Sequence, residues 1–279
     1  MNDRKKKILI AVIVVFALIA LGTCGFLVYK TIISDSTEQT YENIASSFAS
    51  NLTKEETTSP ATEAISETKN ETKVERPTEV DTATAENPVD LESLSKMNPD
   101  IYSWIYIPDT NVNYPVAQSS EDDNFYLDHD VYKNYSFPGT IYTQDCNSLS
   151  YNDRVTVLYG HNMLNGSMFA TLHNFSDTAF FNEHPYFYIY TADRKLTYEI
   201  VSAFLYDERH IMNSFDFSDD AVFKDWLEQA KNPRSVNCNV RDSVKLDLNS
   251  KIVVLSTCPN YESGRYLVQG VLINDERTK

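Results

Sequence analysis

Apolar residues crowd the start of the chain, all but vanish from 29 to about 88, and return in a different rhythm. Ile8 to Val28 reads ILIAVIVVFALIALGTCGFLV, 21 residues without a charge. As a helix rising ~1.5 Å per residue, such a run spans a ~30 Å hydrocarbon core. The next segment is rich in Thr, Ser and Glu, and between 31 and 88 Tyr41 and Phe48 are its only aromatics. After 89, Leu91, Leu94 and Met97 recur at the spacing of a short helix, ended by Asn98-Pro99. Eight β-like runs then alternate with turn formers, at 103–107, 112–117, 139–143, 154–159, 186–191, 195–206, 251–258 and 265–273. Helical stretches interrupt them. Ser119 or Ser120 is expected to cap a turn reaching Asp128, Ser167 to cap 168–175, and Ser218 to cap 219–230. In the last of these Val222, Phe223, Trp226, Leu227 and Ala230 form one apolar stripe, a core-packing pattern. The expected class is mainly β, a barrel or sandwich with peripheral helices.

Arg4, Lys5, Lys6 and Lys7 precede the first apolar run and only Lys30 follows closely, so the positive-inside rule leaves 1–7 in the cytoplasm. The run exceeds the ~7–15 residues of a cleaved signal peptide. Leu21-Gly22-Thr23-Cys24 loosely resembles a lipoprotein cleavage box, but apolar residues continue beyond it. The expected organisation is therefore a single-pass, uncleaved transmembrane anchor over 8–28, a stalk over 29–88 and a folded extracellular domain over 89–276. Thirteen acids against four bases lie between Thr31 and Asp90. With so little apolar surface to offset its ordering entropy, the stalk is expected to be disordered.

Charge and composition remove several function classes. A net charge of −16 argues against a nucleic-acid partner. The chain has seven glycines and no glycine-rich phosphate loop. Cys24, Cys146, Cys238 and Cys258 form no C-x-x-C pair, so neither a metal site nor another cofactor is expected. Whether Cys146 and Cys238 pair is left open. The acidic clusters 121–123 and 216–220 lack calcium-loop spacing and read as solvated helix starts. His129, His173 and His184 read as structural or surface residues.

Three segments end where chemistry is possible. The apolar run from Val155 stops at Gly160, with His161 next; Ile252–Leu255 leads to Cys258, just before the turn formers Pro259 and Asn260; Arg265 opens the following run. A hairpin between the last two runs places Cys258 opposite Arg265, and a small barrel brings His161 to the same rim. A thiolate is the nucleophile, an imidazole moves protons to and from an amine, and a guanidinium donates to a developing oxyanion. Together they can make and break an acyl-thioester. Taken singly, each also fits a plain reading: a buried small hydrophobe, a rim histidine, a surface charge.

At these residues the sequence resembles the sortase family, class B in particular, from about Leu91 to Ile273. The pieces that carry the resemblance are Leu255-Ser256-Thr257-Cys258 with Arg265, and Tyr159-Gly160-His161-Asn162 followed by Gly166-Ser167-Met168-Phe169. Trp104-Ile105, Tyr114-Pro115-Val116, Tyr126-Leu127 and Gly139-Thr140-Ile141 add to it. The resemblance implies an eight-stranded sortase-type β-barrel with an N-terminal helix and a helix before the cysteine strand. It implies Cys258 as nucleophile, His161 as general acid/base and Arg265 as stabiliser of substrate and oxyanion. By the same resemblance Leu127, Ile211, Ser256 and Thr257 line the sorting-signal groove. It implies a transpeptidase in the cell membrane of a Gram-positive-type bacterium, cleaving the sorting signal of secreted proteins. The signal would be an N-P-x-T-x or L-P-x-T-G-like pentapeptide, and the acceptor amine would come from a peptidoglycan precursor or a pilin. The sequence departs from the family where Pro259-Asn260 replace a frequent acidic residue, and where His210 stands for a frequent tyrosine. A water-resolved cysteine protease and a non-catalytic surface module are the rival readings.

Overall fold

Alternation along the strands decides which side chains go inside. In the computed structural model, which describes residues 3–49, 52, 86–259 and 263–279, nine strands form one sheet. They are β1 (Ile101–Tyr106), β2 (Asn113–Ala117), β3 (Ile141–Tyr142), β4 (Val155–Tyr159), β5 (Tyr186–Thr191), β6 (Arg194–Tyr206), β7 (Cys238–Val240), β8 (Ile252–Thr257) and β9 (Arg265–Arg277). The order β5-β1-β2-β3-β4-β8-β9-β6 closes on itself because β5 pairs with β6 as well as β1. That is an eight-stranded barrel, and all eight expected runs are its strands. β7 is an extra, three-residue strand on the far half of β6, beyond the stretch that pairs with β5.

β4 and β8 run parallel in the middle of this sheet and are buried on both faces. Leu158, Val253 and Leu255 point into the barrel with Trp104 and Val268. Val155, Val157, Ile252 and Val254 point outward, under Phe223, Trp226 and Leu227 of a helix laid over them. Two buried faces explain why both strands read as mostly apolar runs, broken only by small hydroxyl residues such as Thr156.

The helices among the described residues are α1 (Asp3–Phe48), α2 (Leu91–Met97), α3 (Thr178–Glu183), α4 (Ile211–Ser214) and α5 (Asp220–Lys231). α5 starts one residue later than expected. Asp219, not Ser218, is its cap, its carboxylate accepting from the Ala221 and Val222 amides at 2.7 and 3.3 Å. Ser167 caps nothing; its hydroxyl donates to Asn165, and a 3-10 turn begins only at Ala170.

The expected stalk needs a larger correction. α1 continues to Phe48, and Tyr41, Ile44, Ala49 and Leu52 are buried against the barrel. Tyr41, Ile44 and Phe48 share one helical face, a short stripe that the surrounding polar composition conceals. The folded unit therefore includes the stretch from about Thr37, and it extends past 276, since the Thr278 amide donates to the Asp193 carbonyl at 2.8 Å. The remainder of the stalk, 53–85, lies outside the described residues. Among the described residues no helix is long and apolar enough to cross a membrane. The expected span at 8–28 includes positions whose side chains lie outside that set.

Candidate active site

Strand register brings three chain segments to one rim. β4 and β8 are in parallel register, Tyr159 beside Ser256, so two residues further on His161 lies level with Cys258. Adjacent strands are ~4.8 Å apart. β8 and β9 pair antiparallel up to Thr257–Tyr266, which leaves Cys258 facing Arg265. Parity agrees: Val155, Val157, Ile252, Val254 and Leu267 all face outward, and His161, Cys258 and Arg265 continue those same alternations.

Two glycines shape the approach to the rim. A Cβ on Gly160 would lie 2.5 Å from the Ile141 side chain and 2.8 Å from the Phe169 ring, so only glycine lets the chain leave β4 this close to the core. Gly264 has φ +115°, and a Cβ there would lie 2.3 Å from the Tyr206 carbonyl oxygen. One precedes His161 and the other precedes Arg265.

The side chains converge as the register requires. Arg265 Nη1 lies 3.6 Å from Cys258 Sγ and 3.3 Å from the Gly264 carbonyl. Cys258 is exposed, while His161 and Arg265 are half-buried. The His161 ring stacks on Phe137, centroids 5.4 Å apart, and its Nε2 is 2.9 Å from the Leu127 carbonyl. A carbonyl only accepts, so Nε2 carries the proton and in the neutral ring Nδ1 is the basic nitrogen. The segment that carries Phe137 is braced from behind by α1. Tyr41 donates to the Gly139 carbonyl at 2.7 Å, and Thr37 and Ser136 share a hydrogen bond at 3.0 Å.

Burial outweighs the Arg265 charge at the phenols beside it. Burial pushes the Tyr142 phenol up to about 12, with the Arg265 charge opposing the rise. Tyr159, which stacks on Tyr142, is raised the same way by burial and the neighbouring phenol. Beside Arg265 lies a small cavity of about 70 Å³ lined by Tyr159, Glu208, Arg209, His210, Ile211 and Ser256.

The expected groove residues fall into different places. Leu127 is 43% exposed, next to His161. Ile211 and Ser256 line the small cavity, each only 2% exposed. Thr257 is also 2% exposed but does not line it; in β8 it alternates to the barrel side. The hydroxyls of Ser256, Thr257 and Tyr159 are buried with no hydrogen-bond partner among the described residues. Cys24, Cys146, Cys238 and Cys258 are all unbridged. Among the described residues no cluster of three or more His, Cys, Asp or Glu has metal-binding geometry.

Sequence reasoning missed His173. Its Nε2–H donates to the Cys258 carbonyl at 3.0 Å, and Asn162 Nδ2 donates to the same oxygen at 3.1 Å. Burial lowers the His173 pKa, and the bond to that carbonyl opposes the shift. No local pattern announces this contact, because a 3-10 turn far along the chain supplies it.

Comparisons with known proteins point to one family. A family model described as a sortase domain matches residues 105–273. Sortase B of Listeria monocytogenes is 34% identical over 193 residues, covering 66% of this chain and 74% of that protein. The crystal structure of Clostridium perfringens sortase B superposes with a TM-score of 0.60 at 32% identity, covering 66% of this chain and 100% of that one. A Staphylococcus aureus sortase B–substrate complex gives 0.59 at 27% identity, over 66% and 84% of the two chains.

Proposed function

The chain belongs to the sortase family, class B, and is a cysteine transpeptidase; from that premise we propose that Cys258, His161 and Arg265 carry the reaction on the sorting signal of a secreted protein. The observation that carries the assignment is the 3.6 Å approach of Arg265 Nη1 to Cys258 Sγ, on a rim where the register also brings His161. The Cys258 thiolate attacks the signal's scissile carbonyl, forming a C–S bond, and Arg265 donates to the resulting oxyanion. Collapse breaks the C–N bond, and His161, an imidazolium once Nδ1 has taken the Cys258 thiol proton, gives that Nδ1 proton to the leaving amine. An incoming amine then attacks the thioester, loses its proton to His161 and expels the Cys258 sulfur. Leu127, Ile211 and Ser256 border the site where the signal binds. The polar lining and the buried Ser256 hydroxyl, unpaired among the described residues, suit a peptide with polar groups.

The finer readings follow from chemistry and the charge pattern. The acceptor is the amine of a peptidoglycan precursor. The apolar run at 8–28, with Arg4 to Lys7 before it, anchors the chain in the cell membrane with its catalytic domain outside. Substrate and wall precursor both emerge at that surface.

The test is incubation of the full chain with a panel of N-P-x-T-x and L-P-x-T-G peptides, with and without added amines. The proposal expects cleavage after Thr and a ligated product that grows with amine concentration, both absent from Cys258→Ala. Free acid as the sole product at every amine concentration would count against amine transfer. Preference for a pilin lysine peptide over wall-type amines would replace the proposed acceptor.

A further inference from the structure

The geometry points to His173, acting with Asn162, as a positioning residue that fixes the nucleophile by clamping the Cys258 carbonyl. This rests on the reading of Cys258 as nucleophile. The need for a clamp is visible in the ladder. β8 pairs with both neighbours up to its last residues, but its pairing with β9 ends at Thr257 and that with β4 at Ser256. The Gly160 amide extends the latter by one bond, to the Ser256 carbonyl at 3.2 Å. Cys258 is thus the first residue beyond β8, where neither neighbouring strand holds the backbone. The next residue is Pro259, which has no amide hydrogen to offer a turn.

Two side chains take over where the ladder stops. Asn162 follows His161 directly, so its 3.1 Å bond to the Cys258 carbonyl ties the exit of β4 to the exit of β8. The separation between imidazole and sulfur is then set by one short link and not by two loose loop ends. His173 reaches the same oxygen at 3.0 Å from a separate element, the 3-10 turn Ala170–Ser176. Its ring packs on Tyr266, centroids 4.6 Å apart, and Tyr266 is the β9 neighbour of Thr257 and of Arg265. One histidine therefore touches the cysteine's peptide and the strand that carries the arginine. Burial favours its neutral ring, and the donor on Nε2 fixes the tautomer.

Both nitrogens act on the backbone carbonyl of the cysteine, so the effect is on placement. A misplacement of ~1 Å at a reacting atom costs on the order of 10²-fold in rate. The test uses the full chain in detergent micelles, as wild type, His173→Phe, His173→Gln and Asn162→Ala. Two rates are measured: turnover of an N-P-x-T-x peptide, and iodoacetamide alkylation of Cys258 relative to exposed Cys238, read by peptide mapping. His173→Phe keeps a ring against Tyr266 but removes the donor. It is expected to lower kcat by about 10–10²-fold with KM nearly unchanged, and to shift the Cys258/Cys238 alkylation ratio. His173→Gln, which keeps an N–H, restores much of both, and Asn162→Ala moves both in the same direction as His173→Phe. Wild-type kcat and alkylation ratio in His173→Phe would overturn the proposal, as would equal losses in the Phe and Gln variants. Absence of any acyl-enzyme in the wild type would instead sink the nucleophile assignment; the alkylation ratio still reports the clamp in that case.

Discussion

The rim that bears Cys258, His161 and Arg265 and the tail of α1 are both fastened by hydrogen bonds to carbonyl oxygens, yet they are built to opposite specifications. At the rim the chemistry-bearing groups are exposed or half-buried, and they gather only because β4, β8 and β9 lie side by side in fixed register. In the tail Tyr41 is 1% exposed, and its hydroxyl is locked between the Gly139 carbonyl and Thr140. The tail invests its contacts in burial, and the rim invests them in placement. Removing a group from the first should be felt mainly as lost stability, and from the second mainly as lost rate.

Tyr41→Ala sets the scale at one end. Emptying a fully buried aromatic site costs about 3–5 kcal/mol, and denaturant unfolding should show it. Turnover per folded molecule should fall by less than about tenfold, because the tail reaches His161 indirectly, through the segment that carries Phe137. A larger loss of turnover than of stability would erase the contrast. Arg265→Ala probes the other end: loss of one oxyanion donor costs about 10²–10³-fold in acylation, ~2.7–4 kcal/mol, read by rapid-quench mass spectrometry. Its melting temperature should stay near wild type, since the guanidinium is half-buried and its hydrogen bonds among the described residues go to Cys258 and Gly264.

Gly160→Ala sharpens the boundary between the two. The new methyl meets Ile141 and Phe169, an overpacking worth about 1–3 kcal/mol, and it shifts the backbone that carries His161. Stability and turnover should fall together, in contrast to either variant above. The smallest effect concerns pH. The His173 pKa is lowered in the folded chain, chiefly by burial, from an unfolded value of ~6.5. As pH falls below ~6.5 the unfolded chain takes up a proton that the folded chain resists, so the stability present above that value declines toward the lowered folded pKa. His173→Gln should flatten this part of the stability–pH curve; an unchanged slope would show that other groups set it.

The barrel was legible because its strands obey local rules. Val155–Leu158 and Ile252–Leu255 are apolar on both faces, and turn formers bracket every run. The opposition of Cys258 and Arg265 followed from the hairpin alone. The α1 tail was not legible, since three apolar residues at helical spacing are hidden among Thr, Ser and Glu, and what buries them is a barrel surface far along the chain. His173 stayed hidden for a related reason: its partner is a backbone oxygen, which leaves no trace in residue type. Ser218 and Ser167 show a smaller limit. Each is a good cap by type, but Asp219 stood one place nearer the helix, and Asn165 captured the other hydroxyl.

The account depends on one sulfur among four unbridged thiols. Its most direct test is to trap the covalent intermediate from the full chain and a cleavable sorting-signal peptide, then map the acylated residue by tryptic mass spectrometry. The account predicts a thioester on Cys258 alone, formed on the order of 10²–10³-fold more slowly in Arg265→Ala. Acylation at Cys24, Cys146 or Cys238, or undiminished cleavage by Cys258→Ala, would contradict it.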